Sequence, residues 1–286
     1  MKNSQKKYSS RYLNNSGSVL IITIWILVFF SILSAGLYSI TSAYISIFRR
    51  LEDRIVSRYL MEGACVDARM QIKNDKTTYD TLNELRKEKE QELGNGTFIY
   101  KLVDEESKVN INTATRDMLM RLDGIDDDTA DKILASELKP FKLKEELLLV
   151  EGVTEEKFNK FKNYITVYTK NGVNINTAPP EVMQILGMSD TLIRAIQEFR
   201  AGPDGKEGTE DDQAFKTTGE ITTDIRDLIS FSADDEAVII QLVSQGRLIV
   251  NSENFTVDCE TKILSRKAGK YAIVIDKDKI KEWREF

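Results

Sequence analysis

Between Ser18 and Phe48 the chain runs 31 residues without a charge. Its densest part, VLIITIWILVFFSIL at 19–33, would be apolar on every face of a helix. A helix needs roughly 20 mostly apolar residues to cross a bilayer, where no water satisfies exposed backbone. The run therefore predicts one membrane-spanning helix. Lys2, Lys6, Lys7 and Arg11 precede it with no acid among them. Cationic flanks stay in the cytoplasm, so the remaining chain is expected outside. A secretory signal peptide is the alternative: its apolar stretch is about 7–15 residues and ends at a small-x-small site. Ser34 and Gly36 offer such a site. The apolar run continues past them, which favours the anchor.

The helix is expected to leave the membrane intact. Phe48, Leu51, Ile55, Tyr59, Val66 and Met70 follow a helical period, with Glu62 as a gap. Arg49, Arg50, Glu52, Asp53, Arg54 and Arg58 fill the other faces, and no proline intervenes.

Composition removes several chemistries. The chain has no histidine, so Ser-His-Asp and Cys-His catalysis and His-ligated metals are excluded. Two cysteines, Cys65 and Cys259, cannot form a four-thiolate site. The formal charge is -6, and without the four leader cations it is -10. A body this acidic disfavours nucleic acid or anionic lipid as the main partner.

Beyond the helix, a helical stretch is expected near Tyr79–Leu93, then a turn at Gly94-Asn95-Gly96. TFIYKLV at 97–103 alternates as a strand does, and strand signals return only at RLIV (247–250), NFTVDCE (254–260) and KYAIVID (270–276). One small antiparallel sheet, interrupted by an inserted helical domain at 104–245, is the simplest reading. The insertion carries a repeat: VNINTATRDMLMRL starts at Val109 and VNINTAPPEVMQIL at Val173, 64 residues later. Each opens a helix with an acid, Asp117 or Glu181, in its first turn, where it complements the helix dipole. The asparagines are expected to bond turn backbone. LDGIDDDTADKIL (122–134) and VEGVTEEKFNKF (150–161) resemble helix-hairpin-helix modules, some of which bind DNA through backbone amides. Asp126, Asp127 and Asp128 at the first tip would repel phosphate, so packing or protein contact is the expected role. GPDGKEGTEDDQAF (202–215) sets five carboxylates among three glycines. Hard oxygens on a bent loop suit calcium, although the spacing is not that of an EF-hand. The plain alternative is a solvated acidic loop.

A basic leader, then Gly17-Ser18, then an apolar helix running into an amphipathic one, resembles the type IV prepilins and pseudopilins. That resemblance implies a leader at 1–17, cut by a prepilin peptidase after Gly17, with methylation of Ser18. Most such proteins carry Glu at the fifth mature position; Ile22 stands there, which argues against an ordinary shaft subunit. The duplicated VNINTA starts, the insertion, the acidic loop and the ending GRLIVNSENFTV resemble the K-type minor pseudopilins of bacterial type II secretion. The resemblance covers nearly the whole chain. It implies an α+β, pilin-like fold: a helix at 18–72, a head at 73–103 and 246–286, and the inserted α-helical domain at 104–245. It also implies a non-catalytic tip subunit that helps initiate and cap the pseudopilus, with minor pseudopilins I and J as partners. The chain would sit in the inner membrane by a single pass, its C-terminal domain in the periplasm, without nucleic acid. The acidic loop would bind calcium through Asp204, Glu207, Asp211 and Asp212 and the carbonyl of Thr209, with Glu210 turned to solvent. In an oxidising compartment Cys65 and Cys259 could pair, which spacing does not decide. Two other classes stay open: a membrane-anchored helix-hairpin-helix DNA-uptake protein, which should show a basic face, and a carboxylate-dependent hydrolase, which needs two acids converging in a pocket.

Overall fold

The computed structural model describes residues 16–226 and 232–286, with side chains from residue 18. The expected leader at 1–17 therefore lies almost wholly outside the described residues. The chain divides into two compact units, 1–55 and 56–286.

The first unit is the N-terminal part of helix α1 (Ser16–Asn74). An 18-residue window in α1 has a mean hydropathy of 2.6 and is wholly exposed within the chain. It is a candidate single membrane span. Thr23, Ser31 and Ser46 turn their hydroxyls onto carbonyls three or four residues back, so these polar atoms are satisfied within the helix.

In the second unit, α1 from Val56 onward covers a five-stranded antiparallel sheet of order β1-β2-β7-β8-β9. The strands are β1 (Lys89–Leu93), β2 (Gly96–Asp104), β7 (Phe255–Ile263), β8 (Arg266–Ile275) and β9 (Ile280–Glu285). Alternation along the strands is clean: Phe98, Tyr100 and Leu102 of β2 and Phe255, Val257 and Cys259 of β7 all face the helix core. Tyr100 pairs with Cys259, which pairs with Tyr271. Ser57 fits between Thr261 and Tyr271 at 2.6 and 2.8 Å.

The helix face that meets the sheet is not the expected stripe. Leu60, Met61, Ala64, Cys65, Ala68 and Ile72 are buried, whereas Ile55, Tyr59, Val66 and Met70 are exposed. Small side chains let the helix approach the sheet closely, and that packing outweighs the bulkier stripe. The stretch near Tyr79–Leu93 is also corrected. A short helix α2 (Leu82–Arg86) is followed by β1, which pairs with β2 across the Gly94-Asn95-Gly96 turn. Pairing with a formed strand overrides the local helical pattern.

The helical module lies between β2 and β7 and has its own core, from Val109 to Val250. Its elements are β3 (Val109–Asn110), α3 (Arg116–Met120), α4 (Asp127–Leu134), a 3-10 helix (Lys144–Leu149), α5 (Glu155–Phe161), β4 (Ile165–Thr166), β5 (Val173–Asn174), α6 (Pro180–Ile185), α7 (Asp190–Arg200), α8 (Ile221–Arg226), α9 (Ala233–Ser244) and β6 (Leu248–Ile249). RLIV at 247–250, expected in the head sheet, instead supplies β6, which pairs in parallel with β5. Leu248 and Val250 belong to the module's core.

Candidate functional site

The duplicated sequence is a duplicated structure. Each copy opens on a two-residue strand and closes on a parallel one, β3 with β4 and β5 with β6. Asn110 and Asn174 turn their Oδ1 onto the amides of Asn112 and Asn176, at 2.8 and 3.1 Å. The side chain of Asn112 then brackets the backbone of Phe141, accepting from its N–H at 2.7 Å and donating to its carbonyl at 2.9 Å. Asn176 does the same to Phe215, at 2.8 and 3.0 Å. A carboxamide both donates and accepts, so it can replace a strand partner for one residue. The asparagines are therefore structural clamps, as their turn positions suggested.

Each helical hairpin turns on a glycine with positive φ: Gly124, Gly152 and Gly187. Two residues on, Asp126, Thr154 and Ser189 cap α4, α5 and α7 through their side-chain oxygens. The tip amides that would hold a phosphate are thus partly occupied by the chain's own caps. Nearby cations are spoken for as well. Lys157 stands 3.9 Å from Asp126, Lys132 reaches Asp128 and Glu151, and Arg116 reaches Asp127 and Asp131.

The acidic loop is what most distinguishes the second copy. Six residues link α4 to Phe141, whereas fourteen link α7 to Phe215. The loop closes at its base where Gln213 N–H reaches the Arg200 carbonyl at 3.0 Å and Phe199 stacks on Phe215 at 4.3 Å. Gly202 is obligatory: its φ is +61°, and a Cβ there would lie 2.1 Å from the Asp211 carbonyl. Arg200, 2% exposed, donates to the carbonyls of Ile175 and Ala178 at 2.9 and 2.8 Å and to Glu207. Burial works against the charge of this guanidinium, and Glu207 offsets part of that cost. Arg200 was not singled out from sequence. Its only signal is a cation on the apolar side of an amphipathic helix, two residues before Gly202-Pro203.

The loop's carboxylates face its own backbone. Asp204 accepts from Lys206 N–H, Asp212 from Gly208 and Thr209 N–H, and Asp211 from Asp204 N–H and the Thr209 hydroxyl. The Thr209 hydroxyl first, and the Asp204 amide after it, hold Asp211 below the usual carboxylate range. Glu210 is exposed. The donor set is hard, anionic oxygen, which suits calcium in chemistry. Among the described residues no three acidic or thiol groups converge on a metal-sized point. A cation would have to draw these carboxylates off the loop amides and compete with Arg200 for Glu207.

Residues 104–166 match the family model of the helix-hairpin-helix motif. Over 123 residues the chain is 36% identical to endonuclease/exonuclease/phosphatase family domain-containing protein 1 of Danio rerio, covering 35% of this chain and 22% of that protein. The chain thus spans about a fifth of the length of the curated relative it matches. A chain of the crystal structure of the GspK-GspI-GspJ complex, from the type 2 secretion system of enterotoxigenic Escherichia coli, is similar with a TM-score of 0.57 at 15% identity, covering 84% of this chain and 96% of that one. The fold is pilin-like. It is an α+β fold with a long N-terminal helix, an antiparallel sheet and further helices, as the sequence led one to expect.

Within that pilin-like frame, Gly17 and Ser18 lie in the first turn of α1. Cys65 and Cys259 are both buried in the sheet–helix core as free thiols. Cys65 directs its thiol to Met61 Sδ at 3.9 Å, so the pairing considered from sequence is not made. Burial, with Cys65 nearby, pushes the Cys259 thiol up to about 12.

Proposed function

We propose that this chain is a non-catalytic, membrane-anchored subunit of a type II secretion pseudopilus, of the K type, placed at the tip with minor pseudopilins I and J. The observation that carries this reading is topological. A membrane-length helix packs its distal half on a small antiparallel sheet, and a helical module with its own core interrupts that sheet between β2 and β7. The arrangement is similar over 84% of the chain to a component of a GspK-GspI-GspJ complex. The physical logic agrees. The module, about 150 residues, is as large as many whole domains. Stacked subunits of a helical shaft leave little room for it, whereas nothing lies above a tip subunit. Ile22 in place of an acid fits a subunit with no neighbour beyond it.

On this reading a prepilin peptidase cuts between Gly17 and Ser18 and Ser18 is methylated, the span sits in the inner membrane, and the second unit is periplasmic. Calcium is part of the proposal. Asp204, Asp211 and Asp212, with the Thr209 carbonyl, are the loop's available ligands, and Glu207 is the costliest because it must leave Arg200. The deciding experiment is co-purification of the full chain with I- and J-type minor pseudopilins from the same cells, combined with mass spectrometry of the mature N-terminus. A defined three-subunit complex and a methylated Ser18 are expected. Immunogold label along the whole shaft, or an intact leader in cells with active peptidase, would overturn it.

The match of residues 104–166 to the helix-hairpin-helix model favours a second reading, DNA binding by an uptake protein. The capped tips and paired cations weigh against it. Fluorescence anisotropy with duplex DNA at low salt separates the two readings, since backbone contacts would give affinity that falls steeply with salt.

A further inference from the structure

The helical module joins the sheet at two crossings, the exit from β2 at 104–107 and the return into β7 at 251–254. Carboxylates crowd that junction. Asp80, Asp104, Glu105 and Glu106 are all at most 7% exposed. Glu105 has a cation, Lys108, and also accepts from Thr166 and Thr256. The other three have neutral partners. Asp104 takes Glu106 N–H at 2.7 Å on one oxygen and Asn174 Nδ2, Thr177 Oγ1 and Ser252 Oγ on the other. Its four donors favour the anion, but burial outweighs them and holds the Asp104 carboxyl above the usual carboxylate range. Asn174 Nδ2 also reaches Asp80 at 2.9 Å, and Glu106 holds the side chain and N–H of Asn254. These contacts tie the loop before α2, the β2 exit, the second repeat and the β7 entry into one knot.

We propose that this knot is a proton-operated latch, in which Asp80 and Glu106 clamp the helical module to the sheet while protonated and loosen it when they ionise. The geometry requires a proton. Asp80 and Asp104 share Asn174 Nδ2 and Glu106 lies on Asn254, with no cation among the described residues bonded to any of the three, and buried like charges cannot all ionise without large cost. Burial and the Asp104 charge push Asp80 up to about 7 and Glu106 up to about 8. Asp75 adds to the rise at Asp80. The remaining charges stand at the margin. Lys277 and Glu84 line the cleft beside Asp80, Lys281 bonds Asn254 Oδ1 and pairs with Asp276, and Lys144 faces Glu105 with Arg284 beyond it on Glu145. The cleft, about 360 Å³ and lined by Asp80 and Ser252, gives protons a route from solvent. The latch is independent of the pseudopilin reading.

Three backbone bonds report the junction directly: Asp80 N–H to Val250 O at 2.9 Å, Glu105 N–H to Asn254 O at 3.0 Å and Asn174 N–H to Glu106 O at 2.8 Å. The test is hydrogen exchange of the full chain in detergent micelles, corrected for the intrinsic pH dependence of exchange. From about pH 6 to about pH 9, protection at these three amides should fall about tenfold more than at sheet amides such as Val257 and Ile273. Asp80→Asn keeps an oxygen for Asn174 and cannot ionise, so its junction amides should lose clearly less. Junction protection that follows the sheet in the wild type, or an Asp80→Asn profile with the full wild-type fall, overturns the latch. If Asp80→Asn does not fold, the wild-type profile decides alone.

Discussion

Asn176 has no slack. It is buried, brackets Phe215 with two hydrogen bonds and reaches the Val250 carbonyl at 3.2 Å. Asn176→Ala would strand the buried amide and carbonyl of Phe215, so we expect a loss of about 2–4 kcal/mol in urea unfolding of the full chain in detergent. Asn112 makes the same bracket on Phe141 in a half-buried setting, where water can substitute, and Asn112→Ala should cost clearly less. The glycines of the acidic loop give a second contrast. Gly202 and Gly205 both have positive φ, but a Cβ on Gly202 meets the Asp211 carbonyl whereas one on Gly205 meets nothing within 4 Å. Gly205→Ala should cost about 1 kcal/mol, the left-handed backbone penalty alone. Gly202→Ala should cost several-fold more and open the loop base, read as lost protection at Gln213 N–H. Equal costs would mean that the loop base is not held as described.

At the scale of elements, the β7–β8 hairpin has a local defect that the sheet outweighs. Its two turn residues, Leu264 and Ser265, have φ of +49° and +64°. A two-residue turn with both φ values positive prefers Asn-Gly. The Leu264 side chain is 71% exposed, so little packing is lost by replacing it. The double substitution Leu264→Asn with Ser265→Gly should stabilise the unit by about 1 kcal/mol, measured as a higher melting temperature. The register on either side, anchored by Ile263 with Arg266, should be unchanged. Helix α1 shows the same priority of packing over pattern. Its small residues Ser57, Ala64 and Ala68 face the sheet, and Tyr59, Val66 and Met70 are left outside.

For the whole molecule, two sets of carboxylates give stability opposite pH slopes. Asp80 and Glu106 have raised values when folded, so the folded state holds extra protons between about pH 4 and about pH 8, and stability falls as pH rises through that window. The other set is held low. Asp235 is lowered by Ser189 and then Ser232; burial lifts Glu105, but Lys108, Thr166 and Thr256 outweigh it. Their contribution is present above about pH 4 and is lost as pH falls below it. The urea midpoint should therefore be highest at about pH 4 and decline on both sides. A plateau from about pH 5 to about pH 8 would show that the junction carboxylates do not titrate in the folded state. Calcium supplies a separate whole-molecule test. If it binds the folded loop alone, the melting temperature rises with calcium, by the equivalent of about 2.7 kcal/mol at a hundredfold excess over Kd. Asp211→Ala with Asp212→Ala should remove that rise. No calcium dependence up to millimolar concentration would leave the loop a self-bonded acidic turn.

Sequence alone determined what depends on near neighbours and on period. The uncharged run at 18–48 determines a membrane-length helix, because every face is apolar. Strict alternation at Phe98–Leu102 and Phe255–Cys259 determines two sheet strands, because side chains change face at each residue. The two VNINTA segments determine a duplicated module, and their asparagines determine its turns. Tertiary structure decided what depends on distant partners. It made Lys89–Leu93 a strand, because β2 offered a pairing edge. It moved Leu248–Ile249 into the module, because β5 stood parallel to it. It chose the small-residue face of α1 for the sheet, buried Arg200 against Glu207 and gathered Asp80 and Asp104 on Asn174 and Glu106 on Asn254. Those carboxylates are separated by up to 26 positions in the chain, and Asp80 lies 94 from Asn174, which it shares with Asp104. No local pattern encodes such a meeting, because only the crossing of the sheet and the module brings these residues together.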